Sequence, residues 1–225
     1  MVRHRPQGEA IAQLTAVELR AARVLSPAFF NRDPVIVARE LLGKLLIRRQ
    51  GRQLLAGRIV EDEAYLGAED PAAHAFIGRT PRNAVLFGPP GRAYVYFIYG
   101  NHYCLNVSCM EGNGGGVLFR AMQPVAGIAA MALARDVSLP PNASAAELRK
   151  IASGPGRMSQ ALGITRDRDN GEKLTSPRSG LWFADDGWRP GRIAVTPRIG
   201  ITKAVERPLR FIIAGNPFVS ARRVD

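Results

Sequence analysis

The sequence predicts an α+β fold with a mostly antiparallel sheet. Short turns join successive strand-like segments. Helical segments fall between them without the strict alternation of parallel βαβ units, and neither a repeat nor a clear linker breaks the chain. A length of 225 residues with 46% apolar content fits one domain, or at most a compact pair, around a sizeable core. That composition excludes a disordered chain.

Residues 1–14 read as a flexible segment ahead of one domain over 15–225. Thr15 to Leu25 has helical spacing, with Thr15 as N-cap and Glu18 three residues on, a capping box. Asp33-Pro34 opens a stronger helix, carried by Val35, Val37, Ala38, Leu41 and Leu42 and stopped by Gly43. Lys44–Arg49 reads as a strand, Gln50-Gly51-Arg52 as a turn, and Gly57–Tyr65 as a continuation of the sheet. Asp70-Pro71 is expected to open a short helix through His74, and Thr80-Pro81 another that ends at Gly88-Pro89-Pro90-Gly91. Ala93–Tyr99 is an aromatic, β-rich strand. Tyr103–Cys109 and Gly116–Met122 flank a glycine-rich loop and form a hairpin. Pro124–Arg135, Ser144–Ala152 and Gly154–Leu162 read as helices, the second with a Ser144/Glu147 capping box. Residues 165–191, rich in Arg, Asp, Gly and Pro, read as a long irregular connection. Arg192–Thr196 and Leu209–Ala214 are late strands.

Charge points to the partner. Against 19 acidic residues stand 31 basic ones, a net charge of +12. The resulting pI of about 10.7 is a footprint of nucleic-acid binding. The basic residues are spread along the chain, so a broad positive face is expected. All but Lys44, Lys150, Lys173 and Lys203 are arginines, whose planar fork suits phosphate; a genome-wide preference for arginine codons explains the same ratio equally well. No apolar run approaches the ~20 residues needed to cross a bilayer. Met1 to Gln13 has basic residues with no apolar stretch behind them, unlike a signal peptide. Cys104 and Cys109 make neither a disulfide scaffold nor a metal-type spacing, so a reducing, cytoplasmic setting is expected. With no GxGxxG after a strand and no Walker sequence, no nucleotide cofactor is expected.

The acids are less even. Glu61, Asp62, Glu63, Glu69 and Asp70 crowd into one short stretch. Strand alternation places Glu61, Glu63 and Tyr65 on one face and Val60, Asp62 and Ala64 on the other. A carboxylate beside an aromatic suits a pocket for a planar ligand, the ring stacking and the carboxylate moving protons. An exposed strand with solvated acids has the same pattern. In Tyr94-Val95-Tyr96-Phe97-Ile98-Tyr99, Tyr94 and Tyr96 share one face, Phe97 and Tyr99 the other. Such rings stack on bases, or merely follow β-propensity. Arg120 lies in an apolar strand and, if buried, needs a partner such as Glu63 or a substrate phosphate. Asn106 and His74 also lie in apolar surroundings.

Taken together, these segments are far more specific. Arg58-Ile59-Val60-Glu61-Asp62-Glu63-Ala64-Tyr65-Leu66-Gly67, Glu69-Asp70, Ala73-His74, Thr80-Pro81-Arg82-Asn83, Tyr94 to Gly100, Asn106, Val117-Leu118-Phe119-Arg120-Ala121, Gly154-Pro155-Gly156-Arg157 and Gln160 to Ile164 occur in order. They closely resemble the alkyladenine (3-methyladenine) DNA glycosylases of the mammalian type, which also occur in many bacteria. The match runs from about Leu25 to Phe218. The resemblance implies a single α+β domain around a curved antiparallel sheet. It also implies a monofunctional enzyme that cuts the bond between an alkylated or deaminated purine, such as hypoxanthine, and deoxyribose. By that likeness Glu63 is the general base that activates water, and Arg120 helps hold the water or the nucleotide. Tyr65, His74 and Tyr96 are walls of the base pocket, Asn106 is a gate against normal guanine, and Tyr99 is the wedge that enters the duplex. The implied partner is duplex DNA with a damaged purine, met by a monomer without metal or cofactor, cytoplasmic and nucleoid-associated if bacterial.

The implied chemistry is coherent. A base inside a duplex is out of reach, so the nucleotide must flip, at a cost of a few kcal/mol. A wedge side chain fills the gap. An aromatic box favours a cationic alkylated purine. No lysine falls in the matched motifs, which disfavours Schiff-base chemistry. Two regions depart from the likeness: the glycine-rich loop Glu111–Gly116 and the segment 165–191, which carries little motif. Two other readings compete. One is a metal-dependent nuclease with Glu61, Glu63, Glu69 and Asp70 on Mg²⁺; the other is a DNA-binding module without chemistry.

Overall fold

A computed structural model describes residues 13–98 and 100–220. Most of the expected flexible segment, and Tyr99, lie outside the described residues. In chain order the elements are α1 (Ala16–Ala21), β1 (Arg23–Val24), α2 (Pro27–Phe30), α3 (Pro34–Leu41), β2 (Leu45–Gln50), β3 (Gln53–Tyr65), β4 (Ala93–Ile98), β5 (His102–Cys109) and β6 (Gly115–Ala126). There follow α4 (Ile128–Ala134), α5 (Ala145–Ala152), α6 (Pro155–Ala161), α7 (Arg166–Asp169), β7 (Leu181–Asp185), β8 (Ile193–Thr196) and β9 (Arg210–Ile213).

The fold is α+β, as predicted. The strands form one sheet in the order β1-β7-β2-β3-β6-β5-β4, with β9 pairing both β3 and β8, and every strand pair antiparallel. The central strand β3 pairs β6 along one edge. Its other edge passes from β2, which pairs it up to Arg58, to β9, which pairs Glu61 to Glu63. Register shifts against β6 fall at Ile59/Glu61 and Glu61/Asp62, the bulges that let one strand change partners and bend the sheet. Helix α3 packs Val37, Ala38 and Leu41 into the core with Val60, Phe119 and Phe211. Close packing shows at Gly57, where an added Cβ would stand 2.1 Å from the Met122 sulfur.

Both capping boxes are present: Thr15 with Glu18, and Ser144 with Glu147. Asp33 caps α3 with Pro34 in its first turn. Four expectations are corrected. The helix expected over Thr15 to Leu25 ends at Ala21, because Arg23 and Val24 pair with Asp185 and Ala184 as β1. The helix from Pro124 begins only at Ile128, because β6 runs on to Ala126. Pro124 is tolerated in the sheet beside a register shift at Ala56/Gly57, the kind of irregularity that accommodates a residue with no N–H to donate. The segment 165–191 is not irregular throughout: it holds α7 and the buried strand β7, Leu-Trp-Phe-Ala-Asp, inserted between β1 and β2. The helices expected after Asp70 and Thr80 are turns followed by short 3-10 helices at His74–Ile77 and Ala84–Phe87. Among the described residues, no helix is long and apolar enough to cross a membrane.

Candidate active site

The bulged end of β3 sits beneath a cleft of about 920 Å³, well above the roughly 300 Å³ at which ligand pockets begin. Tyr65, His74, Tyr96, Asn106 and Arg120 all line it, so the structure brings five of the sequence-predicted residues together. Glu63 is one layer behind. It is fully buried and touches three lining residues, Tyr65, Arg120 and Ile199.

Glu63 and Glu61 leave the same strand face, as alternation predicts, and Arg120 joins them. Its Nε donates to Glu61 Oε1 at 3.1 Å, its Nη1 lies 3.1 Å from Glu63 Oε1, and the same nitrogen donates to the Ile199 carbonyl at 3.4 Å. Arg120 is therefore a buried residue partnered by two carboxylates.

Glu61 is saturated. Its Oε1 accepts from Arg120, from Arg210 Nε at 2.8 Å and from the Ser220 hydroxyl at 2.9 Å; its Oε2 accepts the Ser220 amide. Burial opposes its charge, but Arg210, Ser220 and Arg120 outweigh it and hold Glu61 below the usual glutamate range. Glu63 has fewer partners: the Ile199 amide on Oε1 at 2.8 Å and the Tyr65 hydroxyl on Oε2 at 3.0 Å. Burial dominates there and raises the Glu63 pKa, against Arg120, Ile199 and Tyr65. Asp62 points the other way, with both oxygens buried and unpaired. Burial, then the charges of Glu61 and Glu63, push its pKa well up.

The aromatic walls interlock. The His74 ring meets Tyr96 edge-on at 4.6 Å, Tyr94 tilts against Tyr96 at 5.6 Å, and the Tyr94 hydroxyl is 2.8 Å from His74 Nδ1. Burial, then Arg82, lowers the His74 pKa, which keeps the ring neutral near pH 7. Asn106 is fixed by donating to the Tyr94 carbonyl at 3.1 Å, across the β4–β5 pair. Asn83 ties the His74 turn down by donating to the carbonyls of His74 and Gly78, each at 2.9 Å.

Sequence reasoning missed Arg198, Ile199, Arg210 and Ser220. Their contacts with β3 span 134 to 159 residues, and nothing in their local sequence marks them. Lys203, outside every matched motif, lines the mouth of the cleft near the exposed ring of Phe76. The four acids offered as metal ligands do not converge. Glu61 is held by Arg120 and Arg210, Asp70 forms a buried pair with Arg198, and Glu69 is exposed.

Aromatic walls above a buried carboxylate, on a strongly basic protein, are features that an enzyme acting on nucleic-acid bases requires. A family model described as methylpurine-DNA glycosylase matches residues 28–217, and the chain belongs to that family. It is therefore a DNA-repair hydrolase of N-glycosyl bonds, with DNA as its substrate. The chain is 62% identical over 200 residues to a protein of Koribacter versatilis provisionally named a 3-methyladenine DNA glycosylase, covering 88% of this chain and 94% of the relative. Relatives of the same provisional name from Burkholderia cenocepacia and Methanoculleus marisnigri are 47% and 46% identical, each covering 88% of this chain and, respectively, 91% and 99% of the relative.

Proposed function

We propose that the enzyme flips alkylated or deaminated purine nucleotides out of duplex DNA and hydrolyses the N-glycosidic bond with a water activated by Glu63. The observation that carries this reading is the place of Glu63: a buried carboxyl of raised proton affinity, directly behind Tyr65, Arg120 and Ile199 of the cleft. A base is most effective with its pKa brought toward the working pH. Glu63 accepts two hydrogen bonds and pairs with one arginine, and its Oε2 is met by the Tyr65 hydroxyl alone, whereas Glu61 accepts four hydrogen bonds, two of them from arginines.

In the proposed step, water enters beside Glu63 Oε2 as the Tyr65 hydroxyl gives way. Glu63 takes the water's proton while the oxygen bonds to the deoxyribose C1′. The bond from C1′ to the purine nitrogen breaks, and its electrons leave with the base. An alkylated purine departs neutral, whereas hypoxanthine needs a proton from an acid. Arg120 orients Glu63 and the water, and the carboxylate steadies the positive charge developing on the sugar. Tyr65, His74 and Tyr96 enclose the base, Asn106 screens normal guanine, and Tyr99 fills the vacated stack.

The test uses duplex DNA carrying one hypoxanthine or one 7-methylguanine, with EDTA present. The expected products are free base and an abasic site that breaks only on heating in alkali. Strand cuts that vanish with EDTA would establish a nuclease, and binding without product a non-catalytic module. Because Lys203 lines the mouth, borohydride is added in parallel. Covalent trapping on the DNA would overturn the monofunctional reading.

A further inference from the structure

Behind the cleft wall lies a group that neither the motifs nor the proposed chemistry uses. Arg198 is completely buried and forms no part of the cleft lining. Its Nη1 donates to the Ala64 carbonyl at 3.1 Å and to Asp70, and its Nη2 donates to Asp70 at 2.8 Å. Its Nε has no hydrogen-bond partner, so the two terminal nitrogens carry the whole pairing. The guanidinium carbon stands 4.5 Å from the centre of the Tyr65 ring. Tyr65 lines the cleft and Arg198 does not, so the cation covers the ring from the side away from the ligand.

We propose that Arg198 sets the charge preference of the base pocket: lying as a fixed cation on the far face of Tyr65, it weakens that ring's hold on positively charged purines relative to neutral ones. The proposal rests on the reading that Tyr65 stacks on the extruded base. The face of a tyrosine attracts a cation through its π-electrons. Both faces draw on the same electrons. A guanidinium on one face polarises them toward itself and also repels a second cation across the ring. The interior is a poor screen for either effect. Asp70 balances the charge of the pair at a distance, but the guanidinium is the group against the ring. The hydrogen bond from the Tyr65 hydroxyl to Glu63 returns electron density to the ring, so the comparison must leave Glu63 in place. A neutral purine has no charge to repel and stacks on the electron-depleted face without penalty. Arg198 is thus a positioning residue for Tyr65 that also tunes it electrically.

A purely mechanical clamp would slow every substrate alike, whereas an electrical role changes the ratio between substrates. Arg198→Leu alone would strand Asp70 in the interior and is a poor probe. The test is the double variant Arg198→Met with Asp70→Asn, which removes both charges and leaves an amide to cap the 70–72 turn. Excision efficiency (kcat/KM) is measured on duplexes carrying 7-methylguanine, a cation, and hypoxanthine, which is neutral. Both rates come from one preparation, so any loss of folded protein cancels in the ratio. The 7-methylguanine to hypoxanthine ratio should rise about threefold to tenfold over wild type, within the span of a cation–π contact. Arg198→Lys keeps the charge, and its ratio should stay within twofold of wild type. An unchanged or lower ratio in the double variant, with wild type active on both lesions, would overturn the proposal. A wild-type enzyme that releases neither base would instead overturn the glycosylase reading beneath it.

Discussion

Glu61 and Glu63 leave one face of one strand, are both fully buried and share Arg120, yet they hold their protons in opposite ways. Glu61, at the inner end, is closed off by Arg210 and Ser220, which with Arg120 hold its pKa below the usual glutamate value. Glu63, under the cleft, has one arginine and two hydrogen bonds, too few to cancel its burial. Residue type and strand position do not separate the two; the number and charge of their partners do. The saturated acid is an anchor for Arg120, and the undersaturated one keeps the capacity to take a proton.

The largest expected effect breaks the outer member. Glu63→Gln should cut single-turnover excision by roughly 10²- to 10⁴-fold, the usual worth of a general base, while binding to lesion duplex is retained. Near-normal turnover would remove Glu63 from the mechanism. Glu61→Gln should reverse the pattern and strike stability first. It leaves Arg210 and Arg120 short of a buried counter-charge, a loss of about 3–5 kcal/mol, read as the shift in urea midpoint at pH 7. A midpoint shift as small as that of Glu63→Gln would erase the distinction between the two ends.

Asp62 sharpens the comparison from the other strand face. Its native pKa lies above its unfolded value. Folding therefore binds an extra proton between those two values, and Asp62 costs stability increasingly as pH rises above about 4. Asp62→Asn should be more stable than wild type, with a margin that widens from pH 4 to pH 8. A margin that is constant with pH would show that Asp62 ionises freely. The smallest effect is expected from Tyr65→Phe, which removes one hydrogen bond that lowers the Glu63 pKa. The acid limb of its pH–rate curve should move to higher pH, by less than about one unit.

Much of this site was legible in the sequence because its logic is local. Period-two alternation put Glu61, Glu63 and Tyr65 together, and an arginine inside an apolar strand, once buried, called for a carboxylate or a phosphate partner. The resemblance then selected which residues meet at the cleft. Burial of Glu63 behind the wall was not legible, because it depends on Ile199 and Arg210, well over a hundred residues away. The fold divides in the same way. Caps at Thr15, Asp33 and Ser144 announce their helices through side chains within three residues. Strand β7 was missed because its five buried residues sit inside a polar, glycine-rich stretch and take their strand state from β1 and β2. Pro124 was misread because a bulge tolerates what a regular ladder would not.

The unequal proton affinity of the two glutamates meets its most direct test in the pH dependence of single-turnover hypoxanthine excision, for wild type and Glu63→Gln side by side. Wild type should gain rate with rising pH through one ionisation above the usual glutamate value of 4.5, and the residual rate of Glu63→Gln should lack that limb. The same limb in both proteins would contradict the account.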